Sequence, residues 1–442
     1  MASDDSVKMD AIVVGGGPAG LTAALTMARA GLEVMLVERG EYAGAKNVGG
    51  LLYGTVLERL MPGFYEKAPI ERCVARRSLV FLAPEEHMAL DFGAEAWARP
   101  PFNHTFIVHR SAFDRWYAAQ AEEAGVNLIE GMVVEDLVTE TSGGETKVCG
   151  VRIAGDEVFY ADTVILADGA NCLVTERARA ALKLRGGRVE QDFAIGAKEI
   201  LSLPKERIED RFDLEDGQGA AIDFFGAPFD GLIGGGFLYT ARESLHLGFA
   251  ARIGSLTKAG LSPNDVLERL KAHPLVRRRI QGAELLEYSA HMIPEGGYDA
   301  VGDVSGHGVM IAGDAAGLVN MSLYKEGTNH AMESGRLAGE TAVEAHGRKD
   351  ASAAVLAGYA EKLRGGIVMK DLKKYRKVPV VLERSPDLLG LYPRKVNRLL
   401  TDFFTVSERT KSKTQREAIR AFLRGLPKWR FLRDAVRARH LA

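Results

Sequence analysis

The sequence predicts an α/β fold around a parallel sheet, and three stretches predict it. The first is a strand, a turn and a helix: apolar Asp10 to Val14, then Gly15-Gly16-Gly17-Pro18-Ala19-Gly20, then good helix formers from Leu21 to Ala30. The second is the strand Asp162 to Ala167, which ends in Asp168-Gly169-Ala170-Asn171. The third is the apolar run Val309 to Ala312, which ends in Gly313-Asp314. Each is an apolar strand that ends in a turn containing glycine, and the first runs on into a helix.

Each piece of the first stretch has a mechanical task. Gly15 permits a tight turn, Gly17 lets a pyrophosphate approach the backbone, and Gly20 lets the helix pack close to the strand. The helix N-terminus offers free N–H groups and a partial positive charge to phosphates. Gly31 stops the helix, and Glu33 to Val37 reads as a second strand that ends at Glu38, with Arg39 beside it. Glu38 stands where a carboxylate accepts from ribose hydroxyls, and an acid there argues against a 2′-phosphate. The glycine spacing alone is a weak signal, and the strand, helix, second strand and acid in order make it specific.

Composition narrows the class. The chain has 442 residues, 46% of them hydrophobic and 26% charged, as in an ordinary soluble enzyme. No window is apolar enough for a membrane span, and the first residues do not read as a signal peptide. Cys73, Cys149 and Cys172 lie far apart with no C-x-x-C, so no protein-held iron–sulfur cluster is expected in this chain. The ten histidines show no H-x-x-x-H or H-E-x-x-H spacing, so no metal is expected either. Charge is unevenly spread. Residues 361–442 hold 22 Lys+Arg against 8 Asp+Glu, whereas the preceding 360 hold 35 against 51. A basic tail on an acidic body predicts an electrostatic partner.

The order of the three stretches resembles the glutathione-reductase-like FAD-binding Rossmann fold. More specifically, the sequence resembles the family of FixC and the electron-transfer-flavoprotein:quinone oxidoreductases. That resemblance is carried by Gly44-Ala45-Lys46-Asn47-Val48-Gly49-Gly50-Leu51-Leu52-Tyr53, by Val108 to Trp116, and by Gly234-Gly235-Gly236-Phe237-Leu238-Tyr239. His273-Pro274, Glu295-Gly296-Gly297 and Lys325-Glu326-Gly327-Thr328-Asn329 continue it. It covers about residues 8 to 345, and the Lys-Glu-Gly-Thr-Asn run is its most specific part. Related hydroxylases have Pro-x-x-Gly-x-Gly after the Gly-Asp turn, and this chain departs from that. The longer quinone oxidoreductases carry a C-terminal cluster on cysteines. FixC-type proteins lack it, and the cysteine count here points towards them.

The resemblance implies non-covalent FAD. Gly15, Gly17, Pro18, Ala19, Gly20, Glu38 and Arg39 would take the ADP part, with the backbone near Val134 beside the adenine. Asp168, Gly169, Gly313 and Asp314 would follow, with Asp314 on the ribityl chain and Arg110 near the ribityl or pyrophosphate. Lys46, Asn47, Gly49 and Gly50 would pass under the ring. A helix beginning near Thr328 would point the N–H groups of Gly327, Thr328 and Asn329 at the ring edge that gains negative charge on reduction. Lys325 and Glu326 would tune the flavin or relay a proton, or would form a solvated loop pair.

The expected domains are 1–185 for the first part of the FAD-binding domain, with small substrate-domain strands near 70–108. A sheet-rich substrate or quinone insert follows over 186–300, the FAD-binding domain closes over 301–345, and a basic helical region spans 346–442. In the insert, Phe224, Phe225, Phe229, Leu232 and Ile233 suit either a quinone or an ordinary sheet core, and Leu261 to Arg279 reads as helix. In Gln415 to Leu426, Ile419, Phe422, Leu423 and Leu426 share one helical face away from most of the arginines. That pattern fits an anionic membrane surface or a partner subunit, and no nucleic acid motif appears.

The function so implied passes electrons from electron-transfer flavoprotein subunits, directly or through a small ferredoxin-like subunit, to a membrane quinone. It would work in the cytoplasm on the inner face of the cell membrane. An NAD(P)H-dependent FAD reductase or hydroxylase, and a flavin-bearing docking subunit active only in a complex, remain open.

Overall fold

A computed structural model describes residues 8–45, 49–186 and 193–441. The predicted positions Lys46 and Asn47 lie outside these described residues. The chain folds as two compact units. One is Met1–Ile70, Val108–Phe193 and Met292–Arg376, and the other is Glu71–Ile107, Ala194–His291 and Lys377–Ala442.

In the first unit the chain runs β1 (Lys8–Val14), α1 (Pro18–Arg29), β2 (Val34–Val37), β3 (Gly49–Tyr53) and α2 (Thr55–Leu60). It returns with α3 (Arg110–Glu123), β4 (Asn127–Ile129), β5 (Val134–Ser142), β6 (Glu145–Ile153), β7 (Val158–Leu166) and α4 (Leu173–Leu182). It closes with β8 (Ser305–Gly306), β9 (Val309–Ile311), α5 (Thr328–Arg348), α6 (Ala353–Gly365) and α7 (Ile367–Tyr375). The sheet order is β8-β9-β7-β1-β2-β4, with the β5–β6 hairpin joined through β6 to β7. Strand β1 is central and parallel to both neighbours, pairing Val14 with Val37 on one side and with Leu166 on the other. Parallel β9 then sets Ile311 beside Leu166. The ends of β1, β2, β7 and β9 therefore line up, as the three predicted stretches require. Such strands are buried on both faces, which is why they read as apolar runs without alternation.

Helices cover the sheet tightly. α1 and α5 pack at small residues: a Cβ on Gly335 would stand 2.0 Å from the carbonyl oxygen of Ala19. Buried Thr22 donates to Pro18 O at 2.6 Å and shares a 2.7 Å hydrogen bond with the hydroxyl of Tyr117 on α3. Buried Tyr359 on α6 donates to Ile311 O at 2.9 Å, pinning that helix to the end of β9.

In the second unit one sheet runs, in order, Glu284–Pro294, Phe193–Ser202, Ser244–Arg252, Gly234–Thr240, Gln218–Gly226, Ile70–Leu82 and Thr105–His109. Gln218–Gly226 and Ile70–Leu82 are parallel, and most of the other pairs are antiparallel. The predicted strands at Ala220–Phe225, Phe237–Tyr239 and Leu245–Phe249 lie inside these elements. Gly231 to Ile233 forms a turn instead. The predicted helix Leu261 to Arg279 is two helices, Pro263–Ala272 and Pro274–Ile280. The break is at His273, whose backbone is extended (φ −60°, ψ 132°) ahead of Pro274, as a residue before proline prefers. Ser262 and Asp265 close a capping box at the start of the first, with Asp265 Oδ2 accepting Ser262 N–H at 2.8 Å.

Phe224 and Phe229 belong to the apolar core of this sheet, with Leu247, Phe249, Val266 and Leu270. Of the two readings of the phenylalanine cluster, the structure gives these two side chains to the core, while Phe225 packs on Phe81 with ring centroids 5.6 Å apart. The tail adds the helices Val378–Arg384, Leu391–Phe404, Lys411–Leu423 and Lys428–Ala438. The third of these ends at Leu423, short of the predicted Leu426, because the chain turns at Gly425 (φ 70°). Its apolar residues divide: Ala418 is buried, whereas Ile419 and Leu423 are about half exposed, and Trp429 beyond them is 86% exposed. No described helix is long and apolar enough to cross a membrane.

Candidate cofactor site

The aligned strand ends of the first unit gather most of the predicted residues. After β1 the chain turns at Gly15 (φ 107°), and its N–H donates to Val37 O at 2.8 Å. A Cβ on Gly20 would sit 1.9 Å from Gly15 O, so α1 can approach the turn only without one. At Gly17 the opposite holds. An added Cβ would meet no atom of the described residues within 4 Å, and the same is true at Gly50 on β3. The turn is closed towards the protein and open on its outer side, which is the shape that admits a phosphate. Helix α1 starts at Pro18 with Gly17 as its N-cap and no side-chain cap hydrogen bond.

Glu38 stands at the end of β2. Its Oε2 accepts Gly16 N–H at 2.7 Å and its Oε1 accepts Gly40 N–H at 2.6 Å. The carboxylate is thereby fixed beside the glycine turn, and each oxygen keeps a further lone pair. The Val134 segment lies next to it. Glu38 N–H donates to Ile129 O at 2.8 Å, Met132 N–H to Glu38 O at 3.0 Å, and Gly131 N–H to Gly40 O at 2.7 Å.

At the second return, Asp168 does something the sequence reading did not anticipate. Its carboxylate accepts Val174 N–H at 2.9 Å, Thr175 N–H at 3.2 Å and Thr175 Oγ1 at 2.6 Å. It serves the first turn of α4, where a carboxylate is favourable to the helix dipole. At Gly169, no atom of the described residues lies within 4 Å of an added Cβ, so the backbone of this turn is open.

At the third return, Gly313 (φ 64°) donates its N–H to Ser334 Oγ on α5 at 2.9 Å. Burial pushes the Asp314 carboxyl above the ordinary range, and the Arg110 charge partly opposes this. Arg110 at the start of α3 makes a bidentate pair with Asp114, Nε to Oδ1 at 2.8 Å and Nη2 to Oδ2 at 2.7 Å. The predicted role of Arg110 thus has a partner that sequence reasoning missed. The signal was the i,i+4 spacing of Arg110 and Asp114 on one helix face. Ser334 was also missed, and a serine amid helix formers gives no such signal.

Lys325 takes a left-handed backbone (φ 48°) and donates its N–H to Ser322 O at 3.0 Å. Asn320 N–H donates to Glu326 O at 2.9 Å, so residues 320–326 form a closed loop. α5 begins at Thr328, as predicted, with Gly327 as N-cap and no capping side chain. The Asn329 side chain is committed: its Nδ2 donates to Glu326 Oε1 at 2.7 Å and to Thr55 Oγ1 at 2.9 Å, while its Oδ1 accepts Val56 N–H at 3.1 Å. Glu326 is therefore oriented by Asn329.

Comparison with known proteins agrees with this geometry. Residues 10–192 match the family described as FAD dependent oxidoreductase, residues 193–293 that described as ETF-QO, ubiquinone-binding, and residues 378–440 the ETF-QO/FixC family C-terminal domain. The chain is 43% identical to the probable electron transfer flavoprotein-quinone oxidoreductase YdiS of Escherichia coli, over 91% of this chain and 92% of that protein. It is 38% identical to protein FixC of Azorhizobium caulinodans, over 97% and 98%. Among solved structures, the geranylgeranyl bacteriochlorophyll reductase-like protein of Thermoplasma acidophilum shares the fold, with a TM-score of 0.72 at 19% identity over 99% of this chain and all of that one. The flavin-dependent brominase Bmp2 shares it with a TM-score of 0.65 at 17% identity, over 95% of this chain and 100% of that one. An open phosphate turn, an acid fixed beside it and relatives matched over nine-tenths of their length lead to one assignment: the chain belongs to the FixC and electron-transfer-flavoprotein:quinone oxidoreductase family of FAD-dependent oxidoreductases.

Proposed function

We propose that this protein holds FAD non-covalently and passes electrons from an electron-transfer flavoprotein, directly or through a ferredoxin-like subunit, to a membrane quinone. The observation that carries the reading is the pairing of closed Gly20 with open Gly17, beside a carboxylate held at Gly16 N–H. Bound FAD supplies the redox chemistry, accepting and releasing electrons at its ring. The chain's own residues bind and orient. The N–H groups at the start of α1 hold phosphate, Glu38 takes ribose hydroxyls, and Asp314, with Arg110 near it, takes the ribityl chain. The first turn of α5, which has no side-chain cap hydrogen bond, would present its N–H groups where charge builds on reduction. Asn329 orients the Glu326 carboxylate at the same turn.

The quinone would be met by the second unit, over the residues that match the ubiquinone-binding family. The exposed apolar residues of the tail, Trp429 among them, lie among arginines and lysines and support docking on an anionic membrane face or a partner subunit. The test is direct. Reduced electron-transfer flavoprotein is mixed with the FAD-loaded chain and a short-chain quinone. The reading predicts bleaching of this chain's flavin and quinol formation. Fast NADPH oxidation by the chain alone, with no response to the flavoprotein, would favour a reductase of the hydroxylase kind.

A further inference from the structure

His330 is the third residue of α5 and is completely buried. Among the described residues, neither of its ring nitrogens has a hydrogen-bond partner. A buried imidazole left unsatisfied costs of order 1–3 kcal/mol for each such group and calls for an explanation. Two carboxylates surround it. Glu326 Oε2 is 3.5 Å from His330 Nε2, too far for a good hydrogen bond. Asp371 on α7 completes the group, and one ligand atom from each of the three lies within 4.8 Å of the others.

We propose that Glu326, His330 and Asp371 bind a divalent first-row transition metal, with zinc the best match. Two ligands each about 2.1 Å from a tetrahedral ion stand roughly 3.4 Å apart, and the His330–Glu326 separation is of that size. One imidazole nitrogen and two carboxylate oxygens suit Zn2+ better than Mg2+, which prefers all-oxygen octahedral surroundings and holds its water. Two carboxylates also balance the ion's charge. Three protein ligands leave a fourth position for water or a substrate atom.

A second cluster of the same ligand types, Asp10, Asp162 and His346, differs in each respect. His346 is exposed, Asp162 is paired with Lys8 at 2.6 Å, and Asp10 accepts Glu33 N–H at 2.8 Å. A metal site at His330 runs against the sequence-based expectation of no metal. That expectation considered only pairs of histidines, whereas here Glu326 stands in the loop just before α5 and His330 in the first turn of that helix. The bound ion would tie the first turn of α5 to α7. The inference does not rest on the flavin reading, since all three ligands and the test belong to the chain itself.

The experiment is calorimetric titration of Zn2+ into the chelator-treated full-length protein. The proposal predicts one tight Zn2+ per chain, unaffected by millimolar Mg2+. Asp371→Asn and His330→Gln should each weaken it at least about 100-fold, since even second-shell losses cost 10–100-fold. His346→Ala should leave it unchanged. A zinc-edge anomalous map should place the ion at Nε2 or Nδ1 of His330. No saturable Zn2+ in the parent chain, loss of binding with His346→Ala, or unchanged binding in Asp371→Asn would overturn it. If His330→Gln fails to fold, Asp371→Asn decides the matter alone, since it keeps the shape of a side chain that is only partly buried.

Discussion

The Glu38 carboxylate accepts the Gly16 N–H at 2.7 Å, so an acid at the end of one strand is locked to the middle of the glycine turn that follows another. Charged hydrogen bonds of this kind contribute about 1.5–3 kcal/mol. Glu38→Ala is expected to weaken FAD binding roughly tenfold to 100-fold, read by flavin fluorescence titration, because it removes the ribose acceptor and loosens the turn. A Glu38→Ala variant that binds FAD as tightly as the parent would remove Glu38 from the site.

Two neighbouring glycines should respond oppositely. Gly17→Ala adds a methyl group into open space at an allowed backbone angle (φ −81°), so thermal stability should change by less than about 0.5 kcal/mol while FAD affinity falls. Gly20→Ala forces a carbon against Gly15 O and should cost about 1–3 kcal/mol of stability before any cofactor is added. Equal effects of both on melting of the cofactor-free chain would contradict the geometry.

Asp168 gives a third test. Its carboxylate serves Val174, Thr175 and the Thr175 hydroxyl, so Asp168→Ala should destabilise the protein by about 1 kcal/mol, typical of a lost helix cap. FAD affinity should change far less than in Glu38→Ala. The opposite ranking would return the side chain to the cofactor.

Asp314 is predicted to trade stability for binding. Its folded carboxyl sits above the ordinary value, chiefly through burial, so between the unfolded and folded values the native state holds the extra proton. Stability from this group therefore falls as pH rises from about 4 through the raised value, and stays reduced at neutral pH. Asp314→Asn should raise the melting temperature of the cofactor-free chain at pH 7, with little gain below pH 4, and should weaken FAD.

In the tail, fully buried Asp434 accepts Ser385 Oγ at 2.8 Å and Tyr392 OH at 2.9 Å. Burial raises its carboxyl, but these donors and Arg433 outweigh burial and hold it below the ordinary range. Its contribution is complete above about pH 4 and is lost as pH falls through the depressed value. Asp434→Ala leaves two buried hydroxyls without an acceptor and should cost about 2–4 kcal/mol, read as earlier urea unfolding. Acid should narrow the difference from the parent.

Much of the site was legible because backbone geometry demands particular residues at particular spacings. A strand, a glycine turn and a helix cannot be assembled with other residues, so Gly15 to Gly20 and Glu38 could be read directly. The return at Gly313-Asp314 was legible for the same reason, and the start of α5 at Thr328 followed from Gly327. Side-chain partners were less legible, because they depend on which elements the fold brings together. Asp168 looked like a ligand at a strand end, yet its oxygens face the helix that follows. The Asn329 side chain gave no signal of its partners, since its amide is shared between Glu326 and Thr55, the latter far away in sequence. Phe224 and Phe229 matched a quinone cluster and a sheet core equally well, and their packing in one cluster with Leu247, Phe249, Val266 and Leu270 assigns them to the core.

The most direct measurement is an electron-density map of the FAD-loaded protein. The account predicts pyrophosphate over Gly17 at the start of α1, ribose at Glu38, the ribityl chain at Asp314, and the ring edge at the first turn of α5. A chain that takes up no flavin, or a map with the pyrophosphate away from Gly17, would contradict it.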